Sequence, residues 1–101
     1  EESLLKKEDP ASSTFMGATF TTPDQETMSR LRLNNGLQIS ALADGALKNA
    51  GIKESFIVTK IDQTVIYAME DVESALSGKT GGVLIEGVYP NGMKAYYGFG
   101  L

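Results

Sequence analysis

Histidine and cysteine are both missing from this sequence of 101 residues. Without histidine the chain cannot build a Ser-His-Asp triad, a Cys-His pair or a histidine-ligated metal site. Without cysteine it has no disulfide framework and no thiolate nucleophile or metal ligand. The missing cysteine fits every redox compartment and identifies none. These absences predict that the chain is not an enzyme by itself and that it uses no cofactor.

Clustered basic charge and long apolar runs are missing too. Nine basic residues stand against 13 acidic ones, for a formal net charge of −4, and the only adjacent basic pair is Lys6-Lys7. A nucleic-acid-binding domain needs a denser basic surface than this. No apolar run approaches the roughly 18–20 residues of a membrane-spanning helix, and a start of Glu1-Glu2 is not that of a signal peptide. We expect neither nucleic acid nor a membrane as partner.

The residues that are present indicate one small globular domain. A hydrophobic content of 42% is ordinary for a folded chain, and 101 residues are enough for a single core. Residues 1–14 are charged at first and then small and polar around Pro10, which indicates a linker or a flexible N-terminal tail. The domain is predicted to span residues 15–101.

Strand and helix patterns alternate along this domain. Thr22 is the predicted N-cap of the first helix, which the Asn34-Asn35-Gly36 turn follows. In chain order, the predicted elements are strand Phe15–Phe20, a helix to about Leu31, strand Leu37–Leu42, a helix of at most two turns in Asp44–Gly51, strands Phe56–Ile61 and Val65–Ile66, helix Met69–Ser77, and a hairpin of Val83–Tyr89 with Lys94–Phe99. The fold class is α+β and mainly β: a partly open antiparallel barrel or sandwich of five to six strands, capped by two to three short helices.

The first functional hypothesis concerns the stretch Phe15-Met16-Gly17-Ala18-Thr19-Phe20. Gly17 has no Cβ, so the backbone can curl there and a partner can approach its amides closely. Successive N–H groups in such a curl form a small concavity that suits a carboxylate. If Ala18–Phe20 continues as an edge strand, it offers unpaired backbone groups to an incoming peptide. An ordinary strand start is the alternative interpretation.

The predicted helix Met69–Ser77 offers a second surface. Met69, Val72 and Leu76 lie on one helical face, and Glu73 stands at its rim. Such a face is most often core, although it could also line a groove opposite Ala18–Phe20. Glu70, Asp71 and Glu73 are better explained as partners of the helix dipole than as catalytic carboxylates. Gly78-Lys79-Thr80 is no phosphate loop, because Glu73 stands where that motif needs a glycine.

Five segments together are similar, in order, to those of one family of domains. They are the carboxylate loop Phe15-Met16-Gly17-Ala18, the segments Asp44–Ile52 and Phe56–Asp62, the helix Met69–Leu76, and the hairpin Gly87–Tyr97. The chain thereby resembles a PDZ domain, specifically the second or C-terminal PDZ domain of the HtrA/Deg (Do-like) bacterial periplasmic serine proteases. The likeness covers roughly residues 15–101.

This resemblance implies a non-catalytic module for protein quality control in the periplasm, a fragment of a hydrolase whose protease domain lies elsewhere. It would capture C-terminal or unfolded peptide segments beside that protease domain and other PDZ domains. Gly17 and its neighbours would bind the carboxylate, Thr19 and Phe20 would pair with the peptide backbone, and apolar residues would form the pocket. The implied peptide site comprises Phe15, Met16, Gly17, Ala18, Thr19, Phe20, Met69, Val72, Glu73 and Leu76.

Two departures from the family pattern give structural expectations. Ser55 and Gln63 stand where family members often have glycine, so Ser55, and either Asp62 or Gln63, should take a backbone angle that favours glycine.

An assembly or regulatory domain that contacts neighbouring domains without binding free peptide is the alternative function. The chain's own end, Phe99-Gly100-Leu101, is a further candidate ligand in trans and would give weak self-association.

Overall fold

The structure, a computed structural model, describes residues 12–15, 17–77 and 81–100 of the chain. These residues form seven strands, all in one sheet, and three helices. In chain order the elements are β1 Ser12–Phe15, β2 Ala18–Thr21, α1 Gln25–Leu31, β3 Leu37–Leu42, α2 Ala46–Asn49, β4 Ile57–Ile61, β5 Thr64–Val65, α3 Met69–Leu76, β6 Gly82–Val88 and β7 Lys94–Gly100. The predicted α+β, mainly β class is confirmed. No helix among the described residues is long and apolar enough to cross a membrane.

Every strand pairing in the sheet is antiparallel. The strands lie in the order β1-β2-β3-β4-β6-β7, and the two-residue strand β5 also pairs with β4. Strand β3 pairs with Ile57 and Val58 of β4, whereas β5 pairs with Lys60 and Ile61. Since β6 pairs with both halves of β4, β3 and β5 share its opposite edge. The β-branched strand β4 thus stands at the centre of the sheet, as its composition predicts.

Strand β1 is the element that the sequence pattern did not predict. Residues 12–14 belong to the predicted tail, but Ser12–Phe15 pairs with Ala18–Thr21 as a tight hairpin. The predicted single strand Phe15–Phe20 is therefore two strands with a turn between them. Residues 1–11, the rest of the predicted tail, lie outside the described residues, as do Met16, Gly78-Lys79-Thr80 and Leu101.

The core is built around Phe56, which is fully buried. The Phe56 ring lies 4.8 Å from the Tyr89 ring and 5.2 Å, edge to face, from the Tyr97 ring, distances that suit aromatic pairs. A Cβ on Gly87 would lie 2.6 Å from the Phe56 ring and 2.1 Å from the Ile57 carbonyl oxygen. Glycine at position 87 therefore makes room for the central aromatic residue of the core.

Two turns take the backbone angles expected from the missing glycines. Ser55 has φ 81° and Asp62 has φ 53°, both in the left-handed region. Two hydrogen bonds to strand β6 hold Asp62 at this angle: its Oδ1 accepts from the Leu84 N–H at 2.9 Å, and its N–H donates to the Leu84 carbonyl at 2.7 Å. The expectation for Ser55 and for the Asp62-Gln63 turn is confirmed.

Helix boundaries follow the predicted pattern with one correction. Helix α1 begins after Asp24, not Thr22. It ends at Leu31, as predicted, and Arg32, its C-cap, has φ 59° before the Asn34-Asn35-Gly36 turn. Helix α2 is one turn long, and Gly51 lies just beyond its C-cap, at the C′ position, as predicted. There the Gly51 and Ile52 N–H groups donate to the Lys48 and Leu47 carbonyls at 3.1 Å and 3.4 Å. These two hydrogen bonds form the Schellman motif. The buried side chains of Leu47 and Ile52 supply its apolar contact.

The predicted C-terminal hairpin is confirmed. Strands β6 and β7 pair from Val88 opposite Lys94 to Gly82 opposite Gly100. The five-residue connection is closed by the Tyr89 N–H, which donates to the Met93 carbonyl at 2.9 Å. Gly92 supplies the positive φ of 92° that this loop needs.

Candidate functional site

The turn at Gly17 has the curled backbone that the sequence predicts. Gly17 has φ +85° in a two-residue turn between Phe15 and Ala18. Its carbonyl accepts a hydrogen bond of 2.7 Å from the Ala43 N–H, so the turn is docked on the loop after β3. A Cβ on Gly17 would lie 2.7 Å from the Asp44 carbonyl oxygen. This turn therefore requires glycine for its backbone angle and for the space, and Gly17 holds two segments of the fold together.

Strand β2 is not the open edge that the sequence suggested. Residues Ala18–Thr21 pair with β3 on one side and with β1 on the other. The four residues of β1 thus occupy the position that a paired peptide would take. The expectation of an unpaired strand at Ala18–Phe20 is wrong, because the chain before Gly17 folds back on the strand after it.

The backbone groups that β2 turns toward β1 can be identified. Ile39 stands opposite Phe20, but its own N–H and C=O bond with Phe56 and Ser55, at 2.8 Å and 2.7 Å. Phe20 therefore directs its backbone groups away from β3 and toward Ser13, its partner in β1. The pattern alternates along an antiparallel strand, so Ala18 faces the same side. We call these outward groups of Ala18 and Phe20 the β2 edge.

The predicted apolar pocket is closed. Ala18, Phe20, Val72 and Leu76 are at most 3% exposed and belong to one contiguous hydrophobic cluster, against which Met69 packs. The structure therefore brings strand β2 and helix α3 into the same core, as the site prediction requires, but their apolar side chains fill it. Of the other predicted site residues, Thr19 is half-buried and Glu73 is exposed, whereas Met16 lies outside the described residues.

An open concavity does lie beside α3, but Met69, Val72 and Leu76 do not line it. It has a volume of about 630 Å³ and is lined by Ser74, Ala75 and the β4–β5 turn around Asp62. The Met69–Val72–Leu76 face points into the core instead. A groove along that face requires some displacement of core side chains.

Helix α3 is anchored by one of its own carboxylates. Asp71 Oδ2 accepts hydrogen bonds from the backbone N–H groups of Tyr67 and Ala68, at 2.9 Å and 3.0 Å. These donors precede the helix, so the carboxylate fixes the approach of the chain to its first turn. Asp71 therefore acts as a cap and as a partner of the helix dipole, the role that the sequence favours for this acidic group.

Sequence reasoning missed a polar pair beneath the C-terminal hairpin. The Tyr89 and Tyr97 hydroxyls lie 2.5 Å apart, and the Tyr89 hydroxyl accepts from the Lys53 N–H at 3.2 Å. The hydrogen bond with Tyr89, together with burial, raises the pKa of Tyr97 to about 12. Both tyrosines line a cavity of about 520 Å³ with Pro90 and Met93. The tyrosines flank the predicted hairpin turn, but the sequence does not show that their hydroxyls meet.

The chain matches no model of a protein family and no curated protein. No group of three or more acidic side chains that could hold a metal ion occurs within residues 12–15, 17–77 and 81–100. What the site can do has to be inferred from the β2 edge and the residues around it.

Proposed function

We propose that this chain is a peptide-binding domain of the PDZ kind, similar to the C-terminal PDZ domains of HtrA/Deg serine proteases. In this proposal it captures C-terminal or unfolded peptide segments by strand pairing on the β2 edge. The observation that carries the proposal is the left-handed turn at Gly17 (φ +85°), which leads directly into a strand that shares its core with α3. A glycine turn of this kind gives a carboxylate access to backbone amides, and the strand after it gives a peptide its pairing partner.

Binding proceeds by strand exchange in this account. The peptide replaces β1, so that its backbone takes over the pairing of Ser13 with Phe20 and of Phe15 with Ala18. Its terminal carboxylate then lies at the turn around Gly17. In this account the last apolar side chain of the peptide packs against the core that Ala18 and Phe20 share with α3, after core side chains have moved to admit it.

The length of β1 makes this exchange feasible. Only four residue pairs join β1 to β2, and each backbone hydrogen bond contributes about 1 kcal/mol net. The apparent affinity is lowered by the fraction of molecules in which β1 is paired. We therefore expect a moderate affinity, on the order of 10–100 μM, which rises when β1 is weakened.

A titration with C-terminal peptides tests the proposal. Backbone amide shifts of the labelled chain are followed as a peptide with a free carboxylate is added, and the same peptide with an amidated end is the control. We expect saturable shifts centred on Gly17–Thr21 and Met69–Leu76, and at least tenfold weaker binding of the amidated form. Saturable shifts confined to another surface would contradict the proposal.

A second candidate function has one observation in its favour. Because β1 already fills the β2 edge, the domain could serve only in assembly, contacting a protease domain or other PDZ domains without binding free peptide. A flat response to peptides in the same titration, with binding to such a neighbouring domain, would select this alternative. Both candidates place the chain in the periplasm, on the resemblance alone.

A further inference from the structure

The opposite edge of the sheet is formed by a longer strand. Strand β7, Lys94–Gly100, is last in the strand order, and no described residue pairs with its outer edge. Seven residues of strand span about 24 Å. Proteins usually protect such an edge with charges, prolines or bulges. Here Lys94 is the only charged residue in the strand, and it stands at one end.

The outward backbone groups of β7 follow from the way the hairpin closes. The Tyr89 N–H bonds the Met93 carbonyl, so the next residue, Lys94, lies in a pair that exchanges no hydrogen bonds with β6. The alternation continues along the strand. Lys94, Tyr96, Gly98 and Gly100 direct their N–H and C=O groups to the free edge, and the residues between them bond to β6.

We propose that this edge is a self-association surface, on which a second copy of the chain pairs its own β7 in antiparallel orientation. The two-fold axis of this dimer passes through Tyr97. In that register Tyr96 of one copy stands opposite Gly98 of the other, and Lys94 stands opposite Gly100. It is the only two-fold register that pairs all four outward positions of each strand, with two hydrogen bonds per pair.

The side chains of β7 complement one another in this register. Tyr96 is 63% exposed on the sheet surface, and glycines at positions 98 and 100 leave gaps on the same surface. Leu84, which is 43% exposed, stands opposite Gly98 in β6. The Tyr96 ring of one copy therefore lies across Gly98 of the other and reaches its Leu84, the arrangement in which an aromatic ring covers a strand glycine.

The charges are compatible with the same pairing. The two copies of Lys94 lie at opposite ends of the joined strands, each opposite Gly100, so no like charges face each other across the pair. An incoming strand of another protein would need its own small residues where Tyr96 projects. A second copy already has them, which is why we choose it as the occupant.

The size of the contact sets its strength. The contact is one strand wide and about 24 Å long. It therefore buries far less surface than the ~1,200–2,000 Å² of stable protein interfaces. We expect a weak dimer with a Kd on the order of 0.1–1 mM, which gains strength when the domain is tethered near further copies. This surface lies at the opposite edge of the sheet from the β2 edge, so the inference stands whether or not peptide binds there.

Hydrogen exchange at increasing protein concentration tests the register, with sedimentation as the measure of dimerisation. In the dimer the amides of Tyr96 and Gly98 should exchange more slowly as concentration rises, whereas those of Ala95 and Tyr97, already bonded to β6, should not change. A chain that stays monomeric at 2 mM or more, well above the expected Kd, would overturn the proposal. So would dimerisation whose added protection falls on β1.

Substitutions at Gly98 supply a matched pair. Gly98→Pro removes one outward N–H, which an edge strand tolerates, whereas Gly98→Ala keeps it. A Cβ at this position meets only the Val83 carbonyl oxygen at 3.7 Å, an ordinary contact. We expect at least a tenfold weaker dimer for Gly98→Pro and a change of less than threefold for Gly98→Ala. If Gly98→Pro fails to fold, Tyr96→Lys, on an exposed side chain, should weaken the dimer to a similar extent. Dimerisation at the original strength in folded Gly98→Pro or in folded Tyr96→Lys overturns the proposal.

Discussion

The hydroxyls of Tyr89 and Tyr97 share one hydrogen bond of 2.5 Å across the C-terminal hairpin, and both rings pack on Phe56. This pair joins the hairpin to the centre of the core. It also places a titratable group in a setting that disfavours ionisation. Because Tyr89 is the main cause of the raised pKa of Tyr97, the relationship gives a direct prediction.

Replacing Tyr89 with Phe should lower the pKa of Tyr97 from about 12 toward its ordinary value of 10.0. In the parent protein the folded pKa lies above the unfolded one, so the stability contributed by the pair is complete below pH 10 and is lost as pH rises toward 12. Ring-carbon shifts of labelled tyrosine report the pKa, and urea unfolding at several pH values reports stability. Tyr89→Phe should lose less stability over this pH range than the parent. Tyr96→Phe, on an exposed neighbour, is the control, and a Tyr97 pKa that is the same in all three proteins would contradict the account.

Gly17→Val should reduce stability as well as peptide binding. Its side chain would meet the Asp44 carbonyl oxygen at 2.7 Å, and φ +85° is strained for a β-branched residue. The strain alone costs roughly 1–3 kcal/mol, and the clash adds to it. Gly92→Val is the matched control, because Gly92 has φ +92° but open space around its Cβ position. Equal losses in the free energy of unfolding would mean that the contact with Asp44 contributes nothing.

Glycine at position 55 should stabilise the protein, whereas glycine at position 62 should not. Ser55 is exposed at φ 81°, where relief of strain is worth roughly 1–2 kcal/mol and the more flexible unfolded chain offsets up to about 1 kcal/mol. Asp62 has the same kind of angle, but Asp62→Gly also removes the 2.9 Å bond to the Leu84 N–H. Urea midpoints should rise for Ser55→Gly and stay level or fall for Asp62→Gly. The reverse order would show that the Asp62 carboxylate does not hold its turn.

The sequence is informative wherever a local pattern carries the structure. Both strands of the C-terminal hairpin and the Gly51 end of α2 follow from turn chemistry and periodicity. The unusual angles at Ser55 and Asp62 follow instead from the resemblance, because family members often have glycine at these turns. The start of α1 is not fixed by the local pattern, because Thr22 and Asp24 are both residue types that suit an N-cap, and the structure has Asp24 there.

Strand β1 illustrates the opposite case. Ser12, Ser13 and Thr14 show no apolar alternation, and their place in the sheet comes from backbone pairing after the Gly17 turn. A pattern of side chains cannot report such pairing, which is why the sequence favours an open edge at Ala18–Phe20. The Tyr89–Tyr97 contact was missed for a related reason: it depends on the register of the hairpin, which turn residues only partly determine.

The central claim is that a peptide binds the β2 edge by displacing β1, and two proline substitutions test it most directly. Ser13 lies opposite Phe20 and, by the alternation of the hairpin, bonds it through its N–H, whereas the Ser12 N–H points away. Ser13→Pro removes about 1 kcal/mol of β1 pairing and should raise the affinity for a C-terminal peptide about fivefold, while Ser12→Pro should leave it unchanged. The measurement is the Kd of one peptide for the three proteins. Equal affinities, or weaker binding by Ser13→Pro than by Ser12→Pro, would contradict the account.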